Sequence, residues 1–350
     1  MKEESKIFKK EEILSTEYLP ELLPHRENQI KRLANNILPA SEGRNPQNTF
    51  IFGPPGIGKT ASARFVFREF EDYSEVRTIY INCWDYRTLI AILTKIVIEF
   101  GSFAHRKGVS KDESLERTIE ILNKKNMGVV ACLDEVDQLI LNDKESLYNL
   151  LRMNQYVKIP FGLIFISNDP HVFSKVDPRI KSSLNIEEIE FRPYSLEEMK
   201  DILKERVNLG IWTVEEGVVL LCANHAIQNG GDVRIGLDCL MKAGRIAESK
   251  NCDKIKIEHV KEILGSVKPV KPKILRERLN EDEKVILNIV DKKRQIFSGD
   301  LYKEYSKTAK MPVSDRRFRD FLNHLAKLNL IKVEERRRGV RGKKRMVTKI

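Results

Sequence analysis

Gly53-Pro54-Pro55-Gly56-Ile57-Gly58-Lys59-Thr60 decides the fold of this chain. The stretch fits G-x-x-x-x-G-K-[ST], a glycine-rich loop that cradles phosphate. Before it, Asn48-Thr49-Phe50-Ile51-Phe52 reads as a buried strand; after it, Ala61-Ser62-Ala63-Arg64-Phe65-Val66-Phe67 reads as a helix. The order matters, because backbone N–H groups and the positive end of the helix then converge on one anion. Gly53, Gly56 and Gly58 permit close backbone approach, Lys59 is expected at the β- and γ-phosphates, and the Thr60 hydroxyl is expected on Mg²⁺. The whole loop, with Ala61 at the start of the helix, is a candidate site for ATP or ADP.

Working outward, Gly128-Val129-Val130-Ala131-Cys132-Leu133-Asp134-Glu135 is an apolar run ending in two carboxylates. A buried parallel strand presents its C-terminal end to the ligand, so Asp134 is expected to hold Mg²⁺ through water and Glu135 to deprotonate the attacking water. Leu163-Ile164-Phe165-Ile166-Ser167-Asn168-Asp169 is another apolar run, and it brings the Asn168 amide to the same edge. Thr78-Ile79-Tyr80-Ile81-Asn82 is a further strand, with helices over about 88–100 and 115–123. Alternating strands and helices imply an α/β fold: a parallel sheet with helices on both faces.

Upstream, Tyr18-Leu19-Pro20-Glu21-Leu22-Leu23-Pro24-His25-Arg26-Glu27 is extended and punctuated by proline, and it leads into a helix over about 28–38. Such a segment either lies over the nucleotide base or is a plain surface strap. Tyr18, Leu19, Pro20, His25 and Arg26 are its candidate contacts. Residues 1–16 are highly charged and read as a segment without fixed structure of its own. The first domain is placed at 1–192.

A small helical domain is expected over 193–267. Tyr194, where it begins, is a further candidate at the nucleotide. Ser195-Leu196-Glu197-Glu198 is a capping box, and helices follow over about 195–208, 214–228, 234–249 and 259–264. Asp232 is a plausible cap for the third. Arg234 lies in that helix's first turn, where a cation opposes the helix dipole unless an anion lies nearby.

The net charge of +11 is unevenly placed. Residues 268–350 carry 25 Lys and Arg against 11 Asp and Glu, a net +14, leaving 37 against 40, or −3, for the rest. A basic tail joined to a slightly acidic body points to a polyanionic partner. The tail reads as a winged helix-turn-helix: a helix over about 275–293, one capped by Ser298, and one capped by Ser314 that leaves Arg316, Arg317, Arg319 and Asn323 outside. A hairpin follows, and seven of the ten residues from Arg336 to Arg345 are Arg or Lys. Ser314 and those helix residues, with Arg336, Arg337, Arg338, Arg341, Lys343 and Lys344, are candidates for double-stranded DNA.

Five cysteines without C-x-x-C spacing fit neither a disulfide framework nor a zinc site. No run of about 18 apolar residues and no signal-like N-terminal region occur, so a cytoplasmic, nucleoid-associated protein without a membrane partner is expected.

With these motifs in order, the chain resembles the archaeal Orc/Cdc-type DNA replication initiators, AAA+ ATPases with a C-terminal winged helix, from Tyr18 to its end. In that likeness, Leu133-Asp134-Glu135-Val136-Asp137 resembles the family's Walker B and Ser167-Asn168-Asp169 its sensor 1. Gly231-Asp232-Val233-Arg234 resembles its sensor 2, bringing Arg234 to the γ-phosphate from a helical lid. Asp177-Pro178-Arg179-Ile180-Lys181-Ser182-Ser183-Leu184 resembles the segment that supplies an arginine finger in trans, so Arg179 is a candidate on a neighbour's nucleotide. The helices after Thr88 occupy the place of the initiator-specific insertion, which makes Arg106 and Lys107 candidate DNA contacts. The resemblance implies a slow, switch-like ATPase bound to origin DNA, with initiator paralogues and the replicative helicase as partners. An ATP-regulated transcription factor, a negative regulator of origin firing, and a motor or clamp-loader subunit share this layout and stay open.

Overall fold

The structure, a computed structural model, describes residues 5–102, 110–176, 184–266, 280–309, 312–327, 331–337 and 343–349. The chain divides into two compact units, Met1–Leu264 and Gly265–Ile350.

Five parallel strands form the sheet of the first unit: β1 (Thr49–Phe52), β2 (Arg77–Asn82), β3 (Val129–Asp134), β4 (Phe161–Ser167) and β5 (Glu187–Glu190), in the order β2-β3-β4-β1-β5. Every residue of β3 and β4 is buried, as strands covered on both faces require. Alternate side chains enter opposite cores. Val130, Cys132, Ile164 and Ile166 join the core that holds α1 (Glu27–Ile37) and α2 (Lys59–Tyr73). Ala131, Leu133, Leu163 and Phe165 join the other, with α3 (Leu89–Glu99), α5 (Val136–Asn142) and α6 (Lys144–Leu151). Helix α4 (Lys111–Lys125) packs beside α3.

Three features depart from the expectations. Strand β5 is not evident in the sequence, because three of its four residues are Glu and only Ile189 is buried; an edge strand tolerates that charge. Helices α5 and α6 are additions too. The N-terminal segment, expected to be mobile until tied down, is tied down here: Ile7, Phe8, Ile13 and Leu14 are buried. Lys9 N–H donates to Gly210 O at 2.9 Å, and Trp212 N–H donates to Ile7 O at 2.9 Å. Its apolar residues are outnumbered locally by Lys and Glu, and the surface they cover comes about 200 residues later.

That surface is a helical lid of α7 (Leu196–Gly210), α8 (Val218–Gln228), α9 (Val233–Ser249) and α10 (Ile257–Ser266). The Ser195–Glu198 capping box is present in full, and Asp232 caps α9. Helix α8 starts at Val218 rather than 214, after Gly217 in the left-handed region.

The second unit comprises α11 (Glu281–Lys293), β6 (Gln295–Phe297), α12 (Ser298–Thr308), α13 (Asp315–Lys327), β7 (Ile331–Arg337) and β8 (Lys343–Lys349), its antiparallel strands in the order β6-β8-β7. Ile286, Val290, Leu301, Tyr305, Phe318, Leu322 and Val347 form one core. The fully buried Tyr305 donates its hydroxyl to Asp282 at 2.7 Å and accepts Val313 N–H at 3.2 Å, tying α12 to α11 and to the turn before α13. Strand β6 is a further addition, and Ser298 is the first residue of α12 rather than its cap, which is Phe297. Residues 275–279 of the expected first helix lie outside the described residues.

Candidate nucleotide site in the first unit

The C-terminal ends of β1, β3 and β4 converge at the start of α2. Gly53, Gly56 and Gly58 all have positive φ. Gly56 cannot carry a side chain here: a Cβ would lie 1.9 Å from the Asp232 carboxylate of the lid. At Gly53 it would meet Phe191 O at 2.1 Å.

Lys59 is buried, and its ammonium donates to Gly53 O at 2.7 Å, Pro54 O at 2.6 Å and Asn168 Oδ1 at 2.8 Å. Removal from water lowers its pKa to about 8; the Asp134 carboxylate opposes that shift, and the Arg234 charge adds to it. An anion between these groups would restore the full charge. Asp134 is buried at the end of β3 and draws three donors. One oxygen accepts Thr60 Oγ1–H at 2.6 Å and Tyr80 O–H at 2.7 Å; the other accepts Glu135 N–H at 2.8 Å. Thr60 and Asp134 thus present hard oxygen donors side by side, a set that fits Mg²⁺.

Glu135 sits in the left-handed region at φ 55°, a costly conformation for a side chain with Cβ and one that clusters at functional sites. It turns the chain from β3 into α5 and carries the carboxylate out to the cavity, where it accepts the indole N–H of Trp84. The Arg87 guanidinium stacks on that indole with its carbon 5.2 Å from the ring centroid.

Lid and loop meet here. Val233 N–H donates to Gly56 O at 3.0 Å, and Arg234 lines the cavity while its guanidinium grips Asp232 through hydrogen bonds of 2.6 to 3.1 Å. The anion that the helix-dipole argument asked for is, in this state, the carboxylate two residues back.

A cavity of about 480 Å³ spreads from this edge. Its lining includes Pro55, Gly56, Gly58, Lys59, Thr60, Ala61, Asp134, Glu135, Asn168, Tyr194 and Arg234, together with Tyr18, Leu19 and Pro20 of the strap. Gly53, Pro54 and Ile57 lie behind that surface as the body of the loop. His25 and Arg26 are placed elsewhere. His25 faces the lid, its Nε2 3.2 Å from Asp201 Oδ2. Arg26 is buried beneath the loop and donates to Ile57 O at 3.1 Å and Arg192 O at 2.8 Å. Its guanidinium lies 3.8 Å from the centre of the Tyr194 ring. Burial lowers the Arg26 pKa, and the neighbouring Tyr194 opposes that. Arg26 holds strap, loop and lid junction together rather than facing the cavity.

Cavity-lining residues that sequence reasoning missed include Arg64, Tyr80, Ile202, Glu205, Arg206 and Leu237. Their helical or strand patterning identifies them only as element faces. Trp84, on the Glu135 carboxylate, also escaped it; an exposed Trp shortly after a strand was the available signal.

In the second unit, Ser314, Arg316, Arg317, Arg319 and Asn323 are all exposed, and Arg319 pairs with Asp315 one turn earlier. Arg336 and Arg337 lie opposite Lys344 and Lys343 across the β7–β8 ladder. Arg106, Lys107, Arg179, Arg338 and Arg341 lie outside the described residues.

Comparison with known proteins follows the same partition. Residues 42–171 match an AAA domain, 200–263 a Cdc6 AAA+ ATPase-type lid domain, and 285–349 the CDC6 C-terminal winged helix domain. The ORC1-type DNA replication protein 1 of Sulfurisphaera tokodaii is 36% identical over 98% of this chain and 90% of its own length. The chain belongs to the ORC1-type DNA replication proteins. Among solved structures, the Aeropyrum pernix ORC1 protein in complex with DNA is 31% identical with a TM-score of 0.77, over 99% of this chain and 94% of that one. The Aeropyrum pernix ORC2 protein, in ADPNP–ADP complexes, shares the fold at 22% identity and a TM-score of 0.75, over 94% and 92% of the two chains. Membership in this family makes the first unit an AAA+ ATPase with a nucleotide-binding site. Among the described residues, no helix is long and apolar enough to cross a membrane.

Proposed function

We propose that this protein is an ATP-switched replication initiator that binds double-stranded origin DNA, acts with initiator paralogues and helps recruit the replicative helicase. The observation that carries the reading is the meeting of Lys59 with Asn168 and of Thr60 with Asp134 beneath a lid that carries Arg234, in a chain whose relatives are replication proteins.

Bound ATP and Mg²⁺ would supply the transferable phosphoryl group and the charge that orients it. Thr60 and Asp134 would hold the metal, and Lys59 would exchange its carbonyl partners for the phosphates. Glu135 would take the proton of the attacking water, and Asn168 would orient that water or the γ-phosphate. Arg234 would leave Asp232 for the γ-phosphate, drawing α9 toward the loop. After hydrolysis the Asp232 pair would re-form and the lid would loosen. Slow, switch-like hydrolysis is the behaviour that the family resemblance implies. The exposed arginines of α13 suit phosphate and base edges in a major groove, and the basic hairpin suits the backbone beside it.

The test is footprinting of the full chain on genome-derived fragments and random duplex, with ATP and with ADP. A discrete protected repeat near a replication start is expected. Protection of promoters alone would replace the initiator reading with a transcriptional one. Neutralising Arg316, Arg317 and Arg319 should reduce the salt dependence of binding by about one slope unit for each phosphate no longer engaged. An unchanged slope would remove α13 from the backbone.

A further inference from the structure

The far wall of the cavity, away from Lys59 and Asp134, is built by strap and lid. Tyr18 and Leu19 contribute from the strap, and Ile202, Glu205, Arg206 and Leu237 from α7 and α9. Apolar surfaces of this kind accept the faces of a planar ring and say nothing about which ring it is. The polar groups of that wall must make the choice.

Arg206 is committed elsewhere. It is buried, its Nη1 donates to Ile13 O at 3.2 Å, and its guanidinium lies 4.9 Å from the centre of the Tyr18 ring. Thr16 and Glu17 are exposed at the rim. Glu205 differs: it is half-buried, lines the cavity, and accepts no hydrogen bond from any described residue. It lies three residues after Ile202 on α7, so the two share one face of the helix, and the carboxylate borders the apolar slot. Burial raises its carboxyl above the ordinary range, while the nearby Arg206 charge holds it down. A half-buried carboxylate with no donor from the protein keeps its lone pairs for a donor on the ligand.

We propose that Glu205 is the base-selecting residue of the nucleotide site, accepting a hydrogen bond from the 6-amino group of adenine. The ribose, bonded between base and phosphates, would lie nearer the loop than the apolar slot does. The inference rests on the ATP reading of the cavity and deepens it. A nucleotide lacking the amine cannot make that bond, so discrimination arises from the bond that is missing.

The experiment is a cycle between one protein group and one ligand group. Affinities of the full chain are measured for ATP and for purine riboside triphosphate, which differs from ATP in lacking the 6-amino group, with wild type, Glu205→Gln and Glu205→Ala. A charge-assisted bond gives wild type a preference for ATP of about tenfold or more. Glu205→Ala should bring that ratio close to one by weakening ATP and leaving the deaminated analogue unchanged. Glu205→Gln keeps an acceptor oxygen and the side-chain shape, so it should fall between. A ratio that survives both substitutions overturns the inference while leaving nucleotide binding intact. Failure of wild type to bind either nucleotide would overturn the ATP reading itself. Deoxy-ATP provides the last arm: a change in the ATP to deoxy-ATP ratio, with the amine effect untouched, would put the carboxylate on the ribose and also overturn the assignment. Melting curves without nucleotide separate these results from loss of the fold.

Discussion

The two walls of the nucleotide cavity are made in different ways. The phosphate wall is the edge of a parallel sheet: Gly53 to Thr60 after β1, Asp134 and Glu135 after β3, and Asn168 after β4, joined by hydrogen bonds of 2.6 to 2.8 Å. The opposite wall is assembled from strap and lid residues drawn from 15–24 and 202–237. A covered sheet cannot yield without exposing its core, whereas a lid joined to the loop by Val233 N–H and Gly56 O can shift by exchanging a few bonds. The proposed chemistry therefore belongs to the rigid wall, and the proposed response to nucleotide belongs to the other.

The largest effect should come from the rigid wall. Glu135→Gln keeps the side-chain shape and an acceptor for the Trp84 indole but removes the base, so hydrolysis should fall by about a thousandfold with ATP affinity unchanged. Single-turnover hydrolysis and equilibrium binding on the same preparation separate the two. An undiminished rate would take Glu135 out of the chemistry. Lys59→Ala should act on binding instead, weakening ATP by about a hundredfold, because the ammonium that neutralises the phosphates is removed from a buried site. Isothermal titration with ATP checks it; near-normal affinity would mean that the backbone amides carry the anion alone.

These walls also differ in how much of them a sequence displays. The phosphate wall consists of short local patterns whose spacing is fixed by a strand, a turn and a helix, so the meeting of Lys59, Thr60, Asp134 and Glu135 at one cavity can be expected from residue types alone. The strap and lid wall depends on which distant segments meet. Ile7 and Phe8 do not announce that this segment bridges to Ile211 and packs on Gly244. Glu205 looks like any exposed carboxylate of an amphipathic helix until the cavity is seen. Strand β5 is hidden by its glutamates, since burial at an edge involves one face and here one residue.

Arg26 tests that distinction directly. Its position in the strap suggests contact with the nucleotide, but its guanidinium instead bonds Ile57 O and Arg192 O beneath the loop. Arg26→Ala strands the buried Ile57 carbonyl and frees the part-buried Arg192 carbonyl, which should cost about 2 kcal/mol of stability in the absence of any nucleotide. Thermal or urea unfolding of the nucleotide-free chain measures it. If stability stays the same and only ATP affinity drops, Arg26 belongs to the cavity after all, and the mobile wall depends on its ligand for support.

The smallest effect concerns Trp84, which meets the rigid wall from outside it. The residue follows β2 with its ring half exposed, and its indole N–H occupies a lone pair of the Glu135 carboxylate. A carboxylate oxygen that already accepts a hydrogen bond has one lone pair fewer for the attacking water, and its orientation is set by the donor. Arg87 stacks on the same ring, and Thr88 caps α3 directly afterwards, so a shift of α3 would move the indole and free the carboxylate. Trp84→Phe removes the donor while keeping an aromatic face for Arg87. Basal hydrolysis should then rise by about fivefold, the worth of one ordinary hydrogen bond, with ATP affinity and melting temperature unchanged. A fall in rate would give the opposite lesson: that Trp84 holds Glu135 in its working orientation, and that the rigid wall extends to the end of β2.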